Sequence, residues 1–357
     1  MTPFAIRLLA LSAVVVLGLY FSVTALRGHL DTGSVRNYAT DLLQGNSAIP
    51  NLHNVQPKTS QNGEHLAYMT FLSGTVANKS DPDINNDPYF VATRLLAYQL
   101  MHQPETRTKT EIPFVILVSG DVPHEKRDRL AKDGATIIEV EYVVTPDWVI
   151  GEMPQWKDLM TKLRAWQLTK FSRALFLDGD MILNRCLDDI FQDAATQFTA
   201  STSDANADEA DNNMPEKYLL ATMAEANPNH AYPPTASNND FKDANYFNAG
   251  FFVFGPSQAL FDYYTSLLDT ENSFDPRYVE QNLLNHAHRQ DGSMPWQRID
   301  TEWNIRFPNE RDRREGVASM HDKWWQAHMD KKLQPYYSGL RWRMEGFYEA
   351  RDRFLVG

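Results

Sequence analysis

The chain has 357 residues, of which 43% are hydrophobic and 12% aromatic, so it can bury a full core and is too rich in aromatic residues for a disordered protein. Its formal net charge of -12 does not fit the basic surface of a nucleic-acid-binding protein, and we expect no nucleic-acid partner. The single cysteine, Cys186, excludes an intrachain disulfide, a zinc-finger spacing and a Cys-x-x-Cys redox pair.

The first predicted element is a membrane span. Residues 8–26 ("LLALSAVVVLGLYFSVTAL") carry no charge and are flanked by Arg7 and Arg27. A helix of this length reaches roughly 28 Å, close to the hydrocarbon thickness of a bilayer, and suits a thin early secretory or Golgi membrane. We interpret it as an uncleaved signal anchor behind a short cytoplasmic tail, residues 1–7. A cleaved signal peptide, with small residues at Val23-Thr24-Ala25, is the alternative.

A polar stretch, residues 27–63, follows the span and is interpreted as a stem or linker because it has little hydrophobic periodicity. The folded lumenal domain is predicted over residues 64–357. It contains a long insertion near residues 194–243 with the acidic run "STSDANADEADNN". We expect this insertion to lie on the surface as a lid, a binding loop or a disordered segment, around a short helical pattern in "PEKYLLATMAEA".

Strands and helices alternate in the first half of the domain. Short apolar runs predict strands in "HLAYMTFLSG", "FVILVSG", "ATIIEVEYV" and "RALFL". Apolar residues at helical spacing predict helices in "YFVATRLLAYQLMHQ", "KRDRLAKDG" and "LMTKLRAWQL", and a docked helix in the aromatic tail after Gln326. This alternation predicts an α/β fold with a doubly wound, Rossmann-like sheet.

Two carboxylates, Asp178 and Asp180, follow the strand "RALFL" at its carboxyl end, where ligands bind in open α/β sheets. In an extended backbone, residues two apart project to the same side, so both carboxylates can face one cation. Gly179 between them permits a close backbone approach to a ligand. Such oxygen ligands suit Mg²⁺ or Mn²⁺, which keep positions open for the oxygens of a diphosphate. The pattern alone is weak, because Asp81-Pro82-Asp83 repeats it in a polar stretch to which we assign no metal.

Four segments in this order resemble the glycogenin-like members of glycosyltransferase family 8, particularly their fungal Golgi relatives: "KLRAWQLTKFSRALFLDGDMILNRCLDDIF", "YFNAGFFVFGPS", "EQNLLN" and "HDKWW". The resemblance extends from about His65 to Trp325. It implies a nucleotide-diphospho-sugar transferase fold of the GT-A type, a divalent cation, usually Mn²⁺, and a UDP-linked sugar donor. It also implies a glycan or glycoprotein acceptor and transfer with retention at the anomeric carbon.

By this resemblance, Asp178 and Asp180 match the metal motif, with Gly179 beside the donor. Lys162 matches a lysine at the donor end of the preceding helix. The turn Asn248-Ala249-Gly250 matches small residues beside the donor sugar, where a bulky side chain would block the approach. A solvated helix lysine and an ordinary strand-opening turn are the alternative interpretations of the last two features.

Glu280 and Gln281 match an acid-plus-glutamine pair on the acceptor side of the sugar, although the family more often has aspartate at the first position. The helical run "PRYVEQNLLNHAH" leaves open that both lie on an exposed helix face without a catalytic role. Tyr89 matches an aromatic residue near the uracil. An insertion, "TVANKSDPDINNDP", separates it from the first strand, so a core position at a helix start is the alternative.

The fourth motif departs from the family pattern. Glycogenin-like proteins commonly have His-x-x-Gly-x-x-Lys-Pro-Trp, in which the histidine is the third protein ligand of the cation and the lysine lies near the diphosphate. The segment "SMHDKWW" keeps His321, Lys323 and Trp325 but lacks the glycine, the proline and several residues of spacing. A shortened loop would keep His321 as an imidazole ligand. An alignment of Lys323-Trp324-Trp325 with Lys-Pro-Trp would instead put the histidine out of register.

The function implied is a metal-dependent retaining glycosyltransferase that extends a glycan from a UDP-linked sugar, N-acetylglucosamine or glucose. The implied location is the Golgi membrane, in a single-pass type II topology with a lumenal catalytic domain. As a hypothesis, a leaving phosphate oxygen takes the acceptor proton, Gln281 steadies the sugar, and Lys323 with the cation stabilises the diphosphate charge. A non-catalytic glycan- or partner-binding protein on a degenerate fold and a nucleotidyltransferase are the alternatives. A homo-oligomer and glycosylation of Asn78 stay open.

Overall fold

The computed structural model describes residues 63–74, 83–156, 158–202, 214–326 and 330–356. The predicted tail, the predicted span over residues 8–26 and nearly all of the predicted stem lie outside these ranges, as do Asn78 and Asp81. None of the helices in the described ranges is long and apolar enough to cross a membrane.

The described residues form strands and helices in a mixed order. In chain order the strands are β1 Leu66–Leu72, β2 Phe114–Ser119, β3 Thr136–Val140, β4 Arg173–Leu177, β5 Met181–Leu183, β6 Thr199–Ala200, β7 Lys217–Tyr218, β8 Leu220–Thr222, β9 Phe251–Phe254, β10 Gln297–Arg298, β11 Asn304–Arg306 and β12 Ser319–His321. The α-helices are α1 Pro88–Met101, α2 His124–Asp133, α3 Gln258–Ser266, α4 Glu280–Ala287, α5 Glu310–Glu315 and α6 Gln334–Val356.

A seven-stranded sheet lies at the centre, in the order β10-β8-β9-β4-β1-β2-β3. Strands β4, β1, β2 and β3 are parallel, and β9 runs antiparallel to β4. Alternate residues of each strand enter two hydrophobic clusters on the two faces of the sheet. Ile116 and Leu175 join the cluster that contains α1, whereas Val115 and Phe176 join the cluster around Trp166. Burial on both faces explains the continuous apolar runs, and the predicted α/β fold is confirmed.

Local signals in the sequence set the ends of the first two helices. Helix α1 begins after Asp87, whose side chain accepts hydrogen bonds from the backbone N–H groups of Tyr89 and Phe90. Pro88, at the first helical position, has no backbone N–H group and so needs no such acceptor. Helix α2 ends at Gly134, which adopts φ 113°, a left-handed conformation that glycine takes without steric cost.

Two predicted helices have other structures. The segment Leu159–Gln167 is a 3₁₀-helix, in which most side chains are buried, so apolar spacing does not distinguish it from an α-helix. The prediction of a helix in "PEKYLLATMAEA" is wrong, because this segment contains β7 and β8. Strand β8 pairs with both β9 and β10, and this non-local pairing outweighs helix propensity. Part of the predicted insertion therefore belongs to the central sheet, whereas residues 203–213 lie outside the described ranges.

A second, three-stranded sheet has the order β11-β12-β5. Strand β12 is antiparallel to β5, with His321 opposite Met181, and parallel to β11, with His321 opposite Arg306. Because of this pairing, His321 lies next to the residues that follow β4.

The aromatic tail forms α6, which docks through a buried carboxylate on α2, as expected for this segment. The side chain of Asp133 is fully buried and accepts hydrogen bonds from Arg94 Nε at 2.7 Å, Arg351 Nη2 at 3.1 Å and Arg129. The ring of Tyr348 packs beside these guanidinium groups, with the Arg351 Cζ atom 4.7 Å from the ring centroid. A single acid therefore joins α1, α2 and α6.

We predict that Asp133→Ala lowers the free energy of unfolding by about 3–5 kcal/mol, because it leaves buried guanidinium groups without their acceptor. Chemical denaturation measures this change. The control is Asp291→Ala. The Asp291 side chain, which pairs with Arg289, is 89% exposed, so its removal is expected to change the free energy of unfolding by less than about 0.5 kcal/mol. Equal losses in both variants would contradict the structural role of Asp133.

A second buried pair joins the loop after β8 to α5. His230 Nε2 lies 3.1 Å from Asp312 Oδ2, and His230 Nδ1 donates to the backbone carbonyl of Asn227 at 2.6 Å. Asp312 also accepts from the backbone N–H of Asn309, in the capping box that begins α5. Burial alone would lower the pKa of His230, but the hydrogen bonds to Asp312 and to the carbonyl of Asn227, together with the charge of Asp312, raise it above its usual value.

This raised pKa predicts a pH-dependent stability. The stabilisation from protonated His230 is fully present below the unfolded pKa, about 6.5, and is lost as pH rises through the higher folded pKa. Thermal unfolding of the wild type and of His230→Gln across this range checks the prediction. The difference in unfolding temperature should shrink with rising pH, and a difference independent of pH would contradict it.

Candidate metal and donor site

Three side chains converge where β4 and β12 end. Asp178, Asp180 and His321 each offer one ligand atom, and these atoms lie within 4.8 Å of one another. His321 Nε2 is 3.1 Å from Asp180 Oδ1 and 3.8 Å from Asp178 Oδ2. The structure thus places His321 beside both carboxylates, as the shortened-loop alternative expects.

The donor set of this cluster fits a hard divalent cation. Asp180 Oδ1 is buried, and His321 Nε2, 3.1 Å away, can donate to it only when that nitrogen carries a hydrogen. Without that hydrogen the two atoms would face each other as acceptors, an arrangement that a shared cation satisfies. Burial alone would raise the pKa of Asp180, but His321 and Lys323 lower it, so its charged form is favoured. Two carboxylates and one imidazole are ligands that Mn²⁺ and Mg²⁺ accept.

Lys162 links this cluster to α4. Its Nζ atom lies 2.8 Å from Asp178 Oδ1 and 2.9 Å from Glu280 Oε1, and the side chain is only 8% exposed. Burial alone would lower the pKa of Lys162, but the charges of the two carboxylates raise it, so the ammonium stays charged. Burial raises the pKa of Glu280, and Lys162 opposes that shift. Lys162 is therefore not a solvated helix lysine.

Gln281 holds the turn at residues 248–250 in place by hydrogen bonds. Its Oε1 atom accepts hydrogen bonds from Asn248 Nδ2 at 3.0 Å and from the Ala249 backbone N–H at 3.1 Å. Its Nε2 atom donates to the hydroxyl of Tyr246 at 2.6 Å. The side chain of Gln281 is thus directed towards the turn, and Glu280 is buried, so the pair does not lie on an exposed helix face.

Tyr246 was missed in the sequence analysis, although it is the first residue of the quoted segment "YFNAGFFVFGPS". Its hydroxyl donates to Asn282 Oδ1 at 2.6 Å in addition to accepting from Gln281. Burial raises the pKa of Tyr246 to about 12, so the hydroxyl stays protonated near neutral pH. A tyrosine two residues before the turn was the available signal, but its hydrogen bonds to Gln281 and Asn282 depend on α4.

The two glycines have different neighbours. A Cβ atom on Gly250 would contact His321 and would lie 2.9 Å from Asp178 Oδ2, and the Gly250 carbonyl accepts from the Asp178 backbone N–H at 2.8 Å. A Cβ atom on Gly179 would lie 2.8 Å from Thr93 Oγ1 on α1. The close neighbour at Gly179 is therefore the helix, and not only a prospective ligand as the sequence suggested. A side chain at position 250 would collide with the cluster, so this position requires glycine.

Tyr89 and Lys323 lie together, and Lys323 is two residues from His321 in the chain. The Lys323 Nζ atom is 5.8 Å from the Tyr89 ring centroid, and the Tyr89 ring meets Trp325 edge-on at 5.1 Å between centroids. Tyr89 also packs against the hydrophobic core, as the alternative interpretation expected. Its position beside Lys323 is compatible with both a core and a donor-binding role.

The model of the protein family described as Glycosyl transferase family 8 matches residues 84–323. The chain belongs to glycosyltransferase family 8. Among its relatives, this family 8 chain is 29% identical over 303 residues to an uncharacterised protein of Schizosaccharomyces pombe, with 77% of each chain covered. It is 26% identical over 313 residues to galactinol synthase 3 of Arabidopsis thaliana, with 77% of this chain and 85% of the relative covered.

Solved structures similar to this family 8 chain include mouse xyloside xylosyltransferase 1, at a TM-score of 0.43 and 12% identity, with 72% of this chain and 97% of the other covered. The glycosyltransferase GlyE of Streptococcus pneumoniae has a TM-score of 0.46 and 13% identity, with coverage of 80% and 64%. The predicted family is confirmed by the family match.

We predict that Gly250→Ala weakens Mn²⁺ binding by at least about tenfold, because the added methyl group displaces the imidazole of His321. Calorimetric titration of the full-length chain with Mn²⁺ measures the affinity. Gly346→Ala is the matched control, since its Cβ atom would meet nothing within 4 Å on α6. Unchanged Mn²⁺ affinity in a folded Gly250→Ala protein would contradict the arrangement.

Proposed function

We propose that this family 8 chain is a metal-dependent retaining glycosyltransferase that transfers a sugar from a UDP-linked donor to a glycan acceptor. The observation that supports it most directly is the convergence of Asp178, Asp180 and His321, whose ligand atoms lie within 4.8 Å of one another. The family match supplies the reaction class.

In the proposed reaction, the bond between the anomeric carbon and a diphosphate oxygen breaks. A bond from that carbon to an acceptor hydroxyl oxygen forms on the same face, and the acceptor proton goes to a diphosphate oxygen. Mn²⁺ or Mg²⁺ bound by Asp178, Asp180 and His321 would supply positive charge that neutralises the leaving diphosphate. Lys323, which lies beside Tyr89 and two residues from His321, adds a second positive charge.

The remaining residues hold this geometry. Lys162 holds the Asp178 carboxylate in place by donating a hydrogen bond to Oδ1 at 2.8 Å, which leaves Oδ2 on the side of His321. Gln281, which the sequence suggested as a direct contact to the sugar, has its carbonyl oxygen committed to the turn at residues 248–250. Its part in this proposal is to fix that turn beside the donor sugar, together with Tyr246.

The donor, the acceptor and the location are further parts of the proposal. We propose UDP-N-acetylglucosamine or UDP-glucose as donor, on the resemblance to fungal Golgi glycosyltransferases. We also propose a Golgi membrane protein of type II topology, on the uncharged residues 8–26, which lie outside the described ranges. Relatives named galactinol synthases make UDP-galactose a necessary member of any donor panel.

We predict Mn²⁺-dependent release of UDP by the purified full-length chain with one member of a UDP-sugar panel. Asp180→Asn should lower this rate by at least about a hundredfold, because it removes a charged ligand of the cation that neutralises the leaving group. The assay is UDP release with and without EDTA.

Asp83→Asn is the matched control. Asp83 belongs to the second Asp-x-Asp pattern, and asparagine can replace it as the acceptor for the backbone N–H of Asn85. Full activity of Asp180→Asn would contradict the metal role. Absence of UDP release from the folded wild type with every donor and a mannose-rich glycan would favour the non-catalytic alternative.

A further inference from the structure

A side-chain amide on α4 binds both backbone groups of the residue that precedes the turn at residues 248–250. This amide belongs to Asn285, the last residue of the segment "EQNLLN". Its Oδ1 atom accepts a hydrogen bond from the Phe247 backbone N–H at 3.0 Å, and its Nδ2 atom donates to the Phe247 carbonyl at 2.9 Å. Nδ2 also donates to the carbonyl of Gln281, one helical turn earlier, at 2.9 Å. Three hydrogen bonds of one side chain thus join α4 to the chain before the turn.

The amide of Asn285 takes the place of a neighbouring strand. One residue earlier, the Tyr246 carbonyl accepts from the Glu225 backbone N–H at 3.1 Å, beside the bridge between Ala224 and Phe247. In an extended chain, the backbone groups of successive residues point to opposite edges. The chain before the turn is therefore held by backbone pairing on one edge and by α4 on the other.

The two ends of the turn are anchored on different elements. The Gly250 carbonyl accepts from the Asp178 backbone N–H at 2.8 Å, and β9, which begins at the next residue, pairs with β4. The other end depends on α4, because Asn285 holds Phe247 and Gln281 accepts from the Ala249 backbone N–H. The end beside the cation cluster thus rests on the central sheet, and the other end rests on the helix.

The polar side chain of the turn is already committed within the protein. Asn248 Oδ1 accepts from the Gly250 backbone N–H at 3.0 Å, and its Nδ2 atom donates to Gln281. Ala249 has no polar side-chain atom. The turn can therefore offer a donor sugar only its backbone and its small side chains, and their effect depends on where the backbone lies.

We infer that Asn285 is a positioning residue for glycosyl transfer, whose amide fixes the backbone of Phe247 and so the turn at residues 248–250 against the donor sugar. The inference rests on the proposed glycosyltransferase function. Because Gly250 is anchored separately on β4, loss of Asn285 should slow the reaction of bound donor and leave the binding of UDP and Mn²⁺ unchanged. This effect is the opposite of that expected for Gly250→Ala, which acts on the cation.

The test compares the full-length wild type with Asn285→Ala, using the UDP-sugar of the donor panel that supports UDP release. Release of UDP at saturating Mn²⁺ gives kcat and donor KM, and calorimetric titration of the same samples gives the affinities for Mn²⁺ and UDP. Asn309→Ala is the matched control. The amide of Asn309 also binds two backbone groups, the N–H groups of Arg311 and Asp312 at 2.9 and 3.3 Å, but at the start of α5.

We expect Asn285→Ala to lower kcat by about tenfold or more, because a small displacement of a group that orients the substrate has a large effect on rate. Donor KM and the affinities for UDP and Mn²⁺ should stay within about twofold of the wild type. Asn309→Ala should lower the unfolding temperature and leave kcat at the wild-type value.

Asn285→Asp is the conservative variant, because the two side chains have the same shape. An ionised carboxylate can accept from the Phe247 N–H but cannot donate to the Phe247 carbonyl, whereas a protonated carboxyl group can do both. The ratio of variant to wild-type kcat should therefore rise as pH falls. A side chain that only filled space would give a ratio independent of pH.

Three results would overturn the inference while the proposed function stands. They are a wild-type kcat in folded Asn285→Ala, a fall in UDP or Mn²⁺ affinity that accounts for the lost activity, and an equal loss of kcat in Asn309→Ala. If Asn285→Ala does not fold, Asn285→Asp decides, and a wild-type kcat at every pH would overturn the inference. Absence of UDP release from the wild type with every donor and acceptor would overturn the proposed function, and the role of Asn285 with it.

Discussion

An ammonium group buried between two carboxylates holds the two sides of the site together. Lys162 contacts Asp178, at the end of β4, and Glu280, at the start of α4. Without it, the buried acid Glu280 would face the partly exposed acid Asp178 with no compensating charge, and uncompensated buried charge is costly. Because Glu280 is fixed in this way, Gln281 reaches the turn at residues 248–250, whose glycine leaves room for the imidazole of His321.

Buried charged groups have two different roles in this chain. Around Asp133, three guanidinium groups surround one acid and join helices, so the charges there are paired within the fold. In the cluster, Asp178, Asp180 and His321 offer ligand atoms within 4.8 Å of one another. Acids gathered with an imidazole in this way are typical of sites that bind a cation. The two networks therefore differ in their partners: guanidinium groups surround Asp133, whereas Asp180 faces the imidazole of His321.

Local sequence patterns were sufficient to predict part of the fold and of the site. The apolar runs predicted β1 to β4, and the position of Asp178 and Asp180 after β4 predicted the edge of the sheet at which the cluster lies. Strands β5, β11 and β12 have three residues each, too few for a periodic signal, and their pairings are non-local. The proximity of His321 and the β8 pairing therefore required the structure. The family resemblance identified His321 as a candidate but could not fix its register.

The most direct test of the account is pulsed electron paramagnetic resonance of Mn²⁺ bound to the full-length chain in the presence of UDP. The account predicts nitrogen coupling from a directly coordinated imidazole in the wild type and its loss in His321→Gln. It also predicts phosphorus coupling from the diphosphate in the same wild-type sample. Stoichiometric Mn²⁺ without nitrogen coupling, or coupling that persists in His321→Gln, would contradict the assignment of His321 to the cation.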